Sequence, residues 1–592
     1  MNLRALLRKH SAACALLAVL AAAVAAPYLI PENPDSAVFR SGVLGVLLLA
    51  GCFFPARQAF ERHDARSLLY GGGFALLFAL CLGVGSELTV YEQLLPGMGS
   101  LIRRFAVPLL ATPLLGALVS HIFEIKPGYG NTKRLRVPFW GYFLLFTAVY
   151  AATLLAMFPG ILNYDFEFEI AQFITGHFEA KHPVFHSLLL GALYRIGELI
   201  FGSTTGGAFV YSAVQLVLVS AMYAAVCSFV QKRVPPLVML LLTLCFAGLP
   251  FHAIIAISTV KDALFSGLCL LLCAMLWRIA EDPDAFLESP RHIALFVACC
   301  LAIALVRLNG IFAYLPACGA LLGLCRKRPG APARKVFIAG LTLAVCLLVP
   351  RGLEFALQAE KAPSSEMMSV PCQQLMRTAE YGDLSEEEYA ALNEWFSGMT
   401  FRYRPYSADP AKGGNFDFER YQRDPSDFWS TYLHYAKRYP KIYVEAFLLN
   451  CAGLWNPDDV SHAHTMDSED WDYVYLKTLN IVPEIAGTVD AHSFIPVLRS
   501  LLVSVAHSSR HEQIPLISLL FRPSVYTFLL LLSTLLLLYR RAGQRALCLL
   551  PIWGILLSLF FSACILVRYA YPIMTAVPVL LALTFSAKPH EN

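Results

Sequence analysis

PVFHSLLLGALYRIGELIFG, residues 183–202, decides how this chain is laid out. It is almost long and apolar enough to cross a bilayer, whose core needs about 20 mostly apolar residues per helix. If it crossed, every later loop would change side, and QKR (231–233) and RKRPGAPARK (326–335) would face outward. Arg195 and Glu198 also lie within it, a considerable cost for positions facing lipid. An amphipathic helix lying on the outer surface meets both objections.

On either side of this stretch the chain is a membrane protein. Of 592 residues, 57% are hydrophobic and 15% charged, whereas soluble domains carry about a quarter charged. Runs suited to crossing lie near 11–30, 40–56, 68–86, 105–123, 139–158, 208–230, 235–256, 262–279, 292–308, 310–325 and 336–350, then near 522–540, 546–566 and 568–586. The expected fold is therefore all-α and polytopic, with about 14 transmembrane helices. The first run also fits a signal peptide, with Arg4, Arg8 and Lys9 ahead of it and small residues at its end. With the N-terminus inside, the inner segments hold 23 Lys and Arg, against seven in the short outer ones. That asymmetry sets both termini cytoplasmic and 351–521 extracytoplasmic. The chain divides into 1–138, a membrane region of four helices; 139–350, a membrane module with an outer loop at 159–207; the outer domain 351–521; and 522–592, three more helices.

The overall charge of +4 excludes a nucleic-acid binder, which needs clustered basic surplus. Fourteen of the sixteen cysteines lie in or beside apolar runs, with no Cys/His metal spacing. An extracytoplasmic 351–521 would allow one disulfide, between Cys372 and Cys451. That domain holds 24 acidic and 14 basic residues and reads as mainly helical. Ser385 and Glu388 form a capping box, 402–414 is a loop, and a helical stretch over 427–450 is interrupted near Pro440. For most of its residues a passive spacer accounts for the sequence as well as a cap over the membrane helices does.

The outer loop holds the chemistry. In GILNYDFEFEIAQFITGHFEAKHPVFH (160–186), Glu169, Gln172 and Gly176 each fall within about 40° of Asp165 on a helical wheel. Phe166, Ile170, Phe173 and Ile174 take the other side, and Glu167 points away from the acidic face. Such a face is often only solvated. Lys261, Arg307 and Arg568, however, sit at outer helix ends, against the positive-inside trend. Each alone could snorkel to the headgroups. Three at one depth suit an anionic ligand, such as a lipid phosphate. A carboxylate to take a proton from an acceptor hydroxyl, with cations on a departing phosphate, would transfer a sugar from a polyprenyl-phosphate donor.

The phrases PGILNYD (159–165), HPVFH (182–186), KDALF (261–265), RLNGI (307–311), PCQQ (371–374) and RYAYPI (568–573), in this order, resemble a branch of multi-pass bacterial proteins. More broadly, the outer-loop acid and the KHP stretch at Lys181, His182 and Pro183 resemble the GT-C superfamily of polyprenyl-phosphate-dependent glycosyltransferases. That group includes protein mannosyltransferases and aminoarabinose transferases. The resemblance implies a GT-C-like module of seven membrane helices over 139–350, with two juxtamembrane helices in its first outer loop. It implies Asp165 as catalytic base with Glu169 beside it, and Lys181, His182, His186, Lys261, Arg307, Asn309, Arg568 and Tyr569 as substrate-binding residues. The implied partners are membrane lipids, a polyprenyl-phosphate-linked sugar and an envelope glycan, glycolipid or protein acceptor, in the bacterial inner membrane. The superfamily's members differ in their use of metal, and Asp165 with Glu169 could hold a divalent ion. The four N-terminal spans and the outer domain depart from the superfamily pattern. Rival readings are a flippase or transporter of lipid-linked glycans, a glycan ligase or polymerase, and a non-catalytic envelope assembly protein.

Overall fold

The computed structural model describes residues 3–29, 42–126, 136–325, 332–361, 367–396, 403–412, 416–459, 489–507, 514 and 516–587. They form helices joined by short loops, with isolated bridges but no strand among the described residues. The principal helices are α1 (Ser11–Leu29), α2 (Ala65–Tyr91), α3 (Met98–Glu124), α4 (Phe139–Ala156), α5 (Tyr164–Thr175), α6 (Val184–Phe201), α7 (Thr204–Val230), α8 (Pro236–Gly248), α9 (Pro250–Ile257) and α10 (Asp262–Glu281). They continue with α11 (Pro290–Val306), α12 (Ile311–Leu324), α13 (Pro332–Ala356), α14 (Ser369–Tyr381), α15 (Pro440–Asn450), α16 (Pro496–His507), α17 (Pro523–Tyr539), α18 (Leu550–Leu559) and α19 (Val567–Ser586).

Among the described residues nine helices are long and apolar enough to cross a membrane. A tenth span results if α8 and α9, bent by 50° at Leu249, are counted as one. Four shorter apolar helices lie at Pro290–Val306, Leu308–Leu324, Pro523–Tyr539 and Gly543–Leu559. The chain is thus a helical polytopic membrane protein. The expected run at 40–56 departs most from this pattern: it breaks at Cys52 into two ten-residue helices, the second ending in the charged FERH stretch. Pro250 at the first position of α9 accounts for the other break, since its ring removes a backbone donor and forces a new helix start.

By length and composition α6 also passes as a span. Its glycines let it pack closely on the start of α7: Gly197 meets Gly206 and Gly207, Tyr194 meets Gly207, and His186 bonds Tyr211. Phe173 of α5 packs into the gap left by Gly191, so α5 and α6 form one layer over the start of α7. Leu162, Phe166, Ile170, Leu190, Tyr194, Ala208 and Tyr211 make its core.

Within 351–521 a separate core is built on Cys372, Leu375, Trp395, Phe416, Phe428 and Tyr435. The Ser385–Glu388 capping box forms, and helix Pro425–Arg438 gives way to α15 at Tyr439. Part of the expected 402–414 loop lies outside the described residues. Cys372 and Cys451 are both buried free thiols in separate packing clusters, so the disulfide between them is not made. In PCQQ, Gln373 donates to the Arg404 carbonyl at 2.7 Å and Gln374 to that of Tyr443 at 3.0 Å, which makes the phrase a fastener within this domain.

Candidate functional site

The PGI turn is pinned before the acidic helix begins. Ile161 donates to the Ile257 carbonyl at 3.2 Å and Thr259 donates back to Ile161 at 2.9 Å. This short ladder joins the start of the outer loop to the segment just before Lys261. Gly160 has φ of +130°, and a Cβ there would lie 2.2 Å from the Ser212 hydroxyl, so only glycine lets the two segments approach. Asn163 then caps α5, accepting from the Asp165 amide at 3.2 Å, while its own amide donates to Thr259 at 3.1 Å.

From this base α5 aims Asp165 and Glu169 inward. Lys261 lies between them, with its ammonium 3.5 Å from Asp165 and 3.2 Å from Glu169. Arg568, 2% exposed at the start of α19, reaches Asp165 at 3.2 Å and the Tyr569 hydroxyl at 3.2 Å. Asp165 is 9% exposed and Glu169 is 1% exposed. The acidic face of α5 is therefore not a solvated one: it is paired with the outer-end cations. Burial pushes the Asp165 carboxyl up, but Lys261 and Arg568 outweigh it and hold the group well below the carboxylate range. In Glu169 burial again opposes ionisation, and His186 with Lys261 brings the carboxyl down to about 2.

Donors and acceptors fix the histidines. The Lys261 ammonium is 3.1 Å from His182 Nδ1, while Glu169 is 3.6 Å from the same atom. Nδ1 cannot serve both, and the closer ammonium makes it an acceptor. Burial first, and Lys261 second, lower the pKa of His182, consistent with a neutral ring. Around His186 the chain of bonds runs the other way. The Gln215 amide nitrogen donates to the carbonyls of Ala256 at 3.1 Å and Ser258 at 2.6 Å, which turns its oxygen toward the Tyr211 hydroxyl. Tyr211 donates its only proton to that oxygen at 2.8 Å. His186 Nε2 lies 2.8 Å from the same hydroxyl, and its Nδ1 is bonded to Glu169. Asp165 and Glu169 thus face Lys261 and Arg568, with His186 beside Glu169.

Arg307 is paired with Asp262, beside Lys261, and its guanidinium lies 5.1 Å from the Tyr569 ring. Asn309 and Lys181 are both exposed. Glu167, which the helical wheel turns away from Asp165, is buried as well. The site gathers Asp165, Glu169, His182, His186, Lys261, Arg568 and Tyr569, with Arg307 one residue pair away. Sequence reading missed Asn163, Tyr211, Gln215, Thr259 and Asp262. Asp262 stood in the KDALF phrase, and Asn163 stood one residue short of the helix as its cap. Tyr211 and Gln215 carried no comparable signal. Between the carboxylates, where a divalent ion would sit, the Lys261 ammonium supplies the positive charge. Among the described residues no group of three or more His, Cys, Asp or Glu is placed to hold a metal.

A model of a family of unknown function matches residues 174–592, more than two thirds of the chain. The chain belongs to the DUF6020 family. The DUF6020 match takes in His182, His186, Lys261, Arg307 and Arg568, and starts nine residues after Asp165. No curated protein and no solved structure matches the chain.

Proposed function

We propose that this DUF6020 protein is a membrane glycosyltransferase that moves a sugar from a polyprenyl-phosphate donor to a cell-envelope acceptor. The reading uses a GT-C-like set of seven helices over 139–350, within about fourteen spans. One observation carries it: two buried carboxylates on a loop helix meet Lys261 and Arg568, each at the end of an apolar helix. An incoming phosphate exchanges with Asp165 for the two cations. Freed of them, Asp165 regains the basicity that they suppress. It then takes the proton of the acceptor hydroxyl, whose oxygen bonds to the anomeric carbon. The bond from that carbon to the phosphate oxygen breaks, and its electron pair leaves on the phosphate held by Lys261 and Arg568. Arg307 and Tyr569 stand ready to extend the phosphate contacts.

An apolar groove of about 460 Å³ supports a lipid-linked donor. It lies between α7 and α10, is lined by Leu218, Met222, Leu264, Leu268 and Val306, and begins one turn from Lys261 and next to Arg307. The test is transfer by the purified protein from polyprenyl-phosphate sugars to envelope glycolipid or glycan acceptors. Asp165→Asn should lower turnover by about 10²- to 10⁴-fold, and wild-type transfer by this variant would remove Asp165 as the base.

A second reading, a flippase or transporter of lipid-linked glycan, is favoured by the break between α8 and α9. Beside the break, His252 bonds the Tyr571 hydroxyl at 2.8 Å, and Tyr571 bonds Tyr223 at 2.6 Å, all fully buried. Movement of a labelled polyprenyl-phosphate sugar across a vesicle membrane, without transfer, would support this reading over the first.

A further inference from the structure

Arg568 stands at one end of α19; the carbonyls of Thr584 and Phe585 stand at the other, about 25 Å away at the helical rise per residue. Arg540 donates to both carbonyls, at 2.7 and 3.2 Å, and to that of Ile125 at 2.7 Å. It forms the back of a crevice of about 370 Å³ between the start of α2 and the ends of α3 and α17, a size within the roughly 300–1,000 Å³ of small-molecule sites. Arg66, Lys126, Arg540 and Arg541 line it, with Asp64 and Glu124.

The two carboxylates are engaged locally. Asp64 caps α2 by accepting from Ser67, and Glu124 accepts from the Asp64 amide at 3.3 Å. Arg540 is committed to helix-end carbonyls. Arg66 is set in place by the Leu538 carbonyl at 3.1 Å and by the rings of Tyr70 and Tyr539. Lys126 and Arg541 are exposed at the mouth, and neither side chain has a hydrogen bond among the described residues. Arg541 keeps φ of +55°, a left-handed conformation uncommon for a non-glycine residue. Ile125 and Leu538, 50% and 43% exposed, give the mouth an apolar flank. Cations around a small crevice, with apolar surface beside them, match a phosphate that carries lipid tails. The crevice lies at the opposite end of α19 from the acidic helix. On the charge asymmetry of the loops, that end meets the inner leaflet, where anionic lipids attract Lys and Arg.

We infer that this crevice binds the headgroup phosphate of an anionic phospholipid, and so joins the N-terminal helices to the C-terminal ones. The inference is independent of the proposed transfer reaction. The full-length protein in detergent is titrated with phosphatidylglycerol, phosphatidylcholine and inorganic phosphate, with bound lipid read by native mass spectrometry and the thermal midpoint followed in parallel. Phosphatidylglycerol should bind and raise the midpoint, and phosphatidylcholine should do so much less. Lys126→Gln and Arg541→Gln should each weaken phosphatidylglycerol binding about fivefold, and the double variant roughly 25-fold. Arg57→Gln, another inner-loop cation but outside the crevice, should bind as wild type. Equal binding of the two lipids, wild-type affinity in the double variant, or equal protection by inorganic phosphate would each overturn the inference.

Discussion

Glu169→Gln removes a charge from the most enclosed part of the site, and its cost can be worked from the surroundings. The carboxyl is 1% exposed and is held down to about 2, against an ordinary 4.5. At about 1.4 kcal/mol for each tenfold change in proton affinity, ionisation of Glu169 contributes roughly 3 kcal/mol to the folded state. Removing one partner of a buried ion pair costs about 3–5 kcal/mol by a separate route, because the other charge is left uncompensated. The two figures agree, so Glu169→Gln should lose about 3 kcal/mol at pH 7. The folded group is the stronger acid, so its contribution is complete above the unfolded value near 4.5 and disappears as pH falls toward about 2. Wild-type stability should therefore fall between those limits, with a smaller fall in the variant. Chemical unfolding of the purified protein in mixed micelles, at pH 7 and at steps down to 3, measures both effects. A loss below about 1 kcal/mol at pH 7, or an unchanged slope, would refute the buried pairing of Glu169 with Lys261 and His186.

Tyr211→Phe removes the hydroxyl that joins His186 to Gln215. It should cost about 1–3 kcal/mol, read as a lower thermal midpoint. Gly160→Ala places a methyl group against Ser212 and forces alanine to φ of +130°. It should lower the thermal midpoint clearly, whereas Gly72→Ala, with open space around it, should not. Glu445→Ala leaves the fully buried Arg377 guanidinium without its carboxylate at 3.0 Å. It should cost about 3–5 kcal/mol and expose 351–459 to protease. Lowering pH through 6.5 should destabilise the protein through His182, because the folded ring resists the proton that the unfolded one accepts.

Membrane class and most helices were legible because an apolar run of bilayer length is rare away from lipid. The break at Pro250 was not, since a proline inside a long apolar run leaves the hydropathy unchanged. The reading of 183–202 depended on charge asymmetry, whereas by length and composition the helix it forms is one of the nine able to cross a membrane. Asp165, Lys261 and Arg568 were found because an ionisable residue at an apolar helix end stands out. Their mutual pairing was hidden, because the partners are 96 residues apart in one case and 403 in the other. Tyr211 and Gln215 were invisible for a different reason. A tyrosine and a glutamine inside a span look like ordinary polar tolerance, and only the two carbonyls beyond Gln215 reveal what they orient.

The outer domain does more than space two membrane regions apart. Ala408 donates to the Ala563 carbonyl at 2.6 Å, and Asn450 donates to that of Ser562 at 2.8 Å. Both bonds hold the loop just before Arg568. On the other flank His492 donates to the Phe158 carbonyl at 3.0 Å, and Phe494 to that of Leu155 at 2.9 Å, next to the PGI turn that launches Asp165. Two segments of 351–521 thus hold the approaches to the two members of the Asp165–Arg568 pair. A shift of either contact by about an ångström would open that pair and change the affinity of the two cations for an anion. Substitution at Asn450 should therefore alter phosphate affinity without touching the site. Asn450→Ala measured against Arg568→Lys separates the two cases. The first should weaken binding while preserving its dependence on Lys261, and the second should change the contacts themselves. If Asn450→Ala binds phosphate as tightly as wild type, the grip on this loop is structural and does not tune the pair.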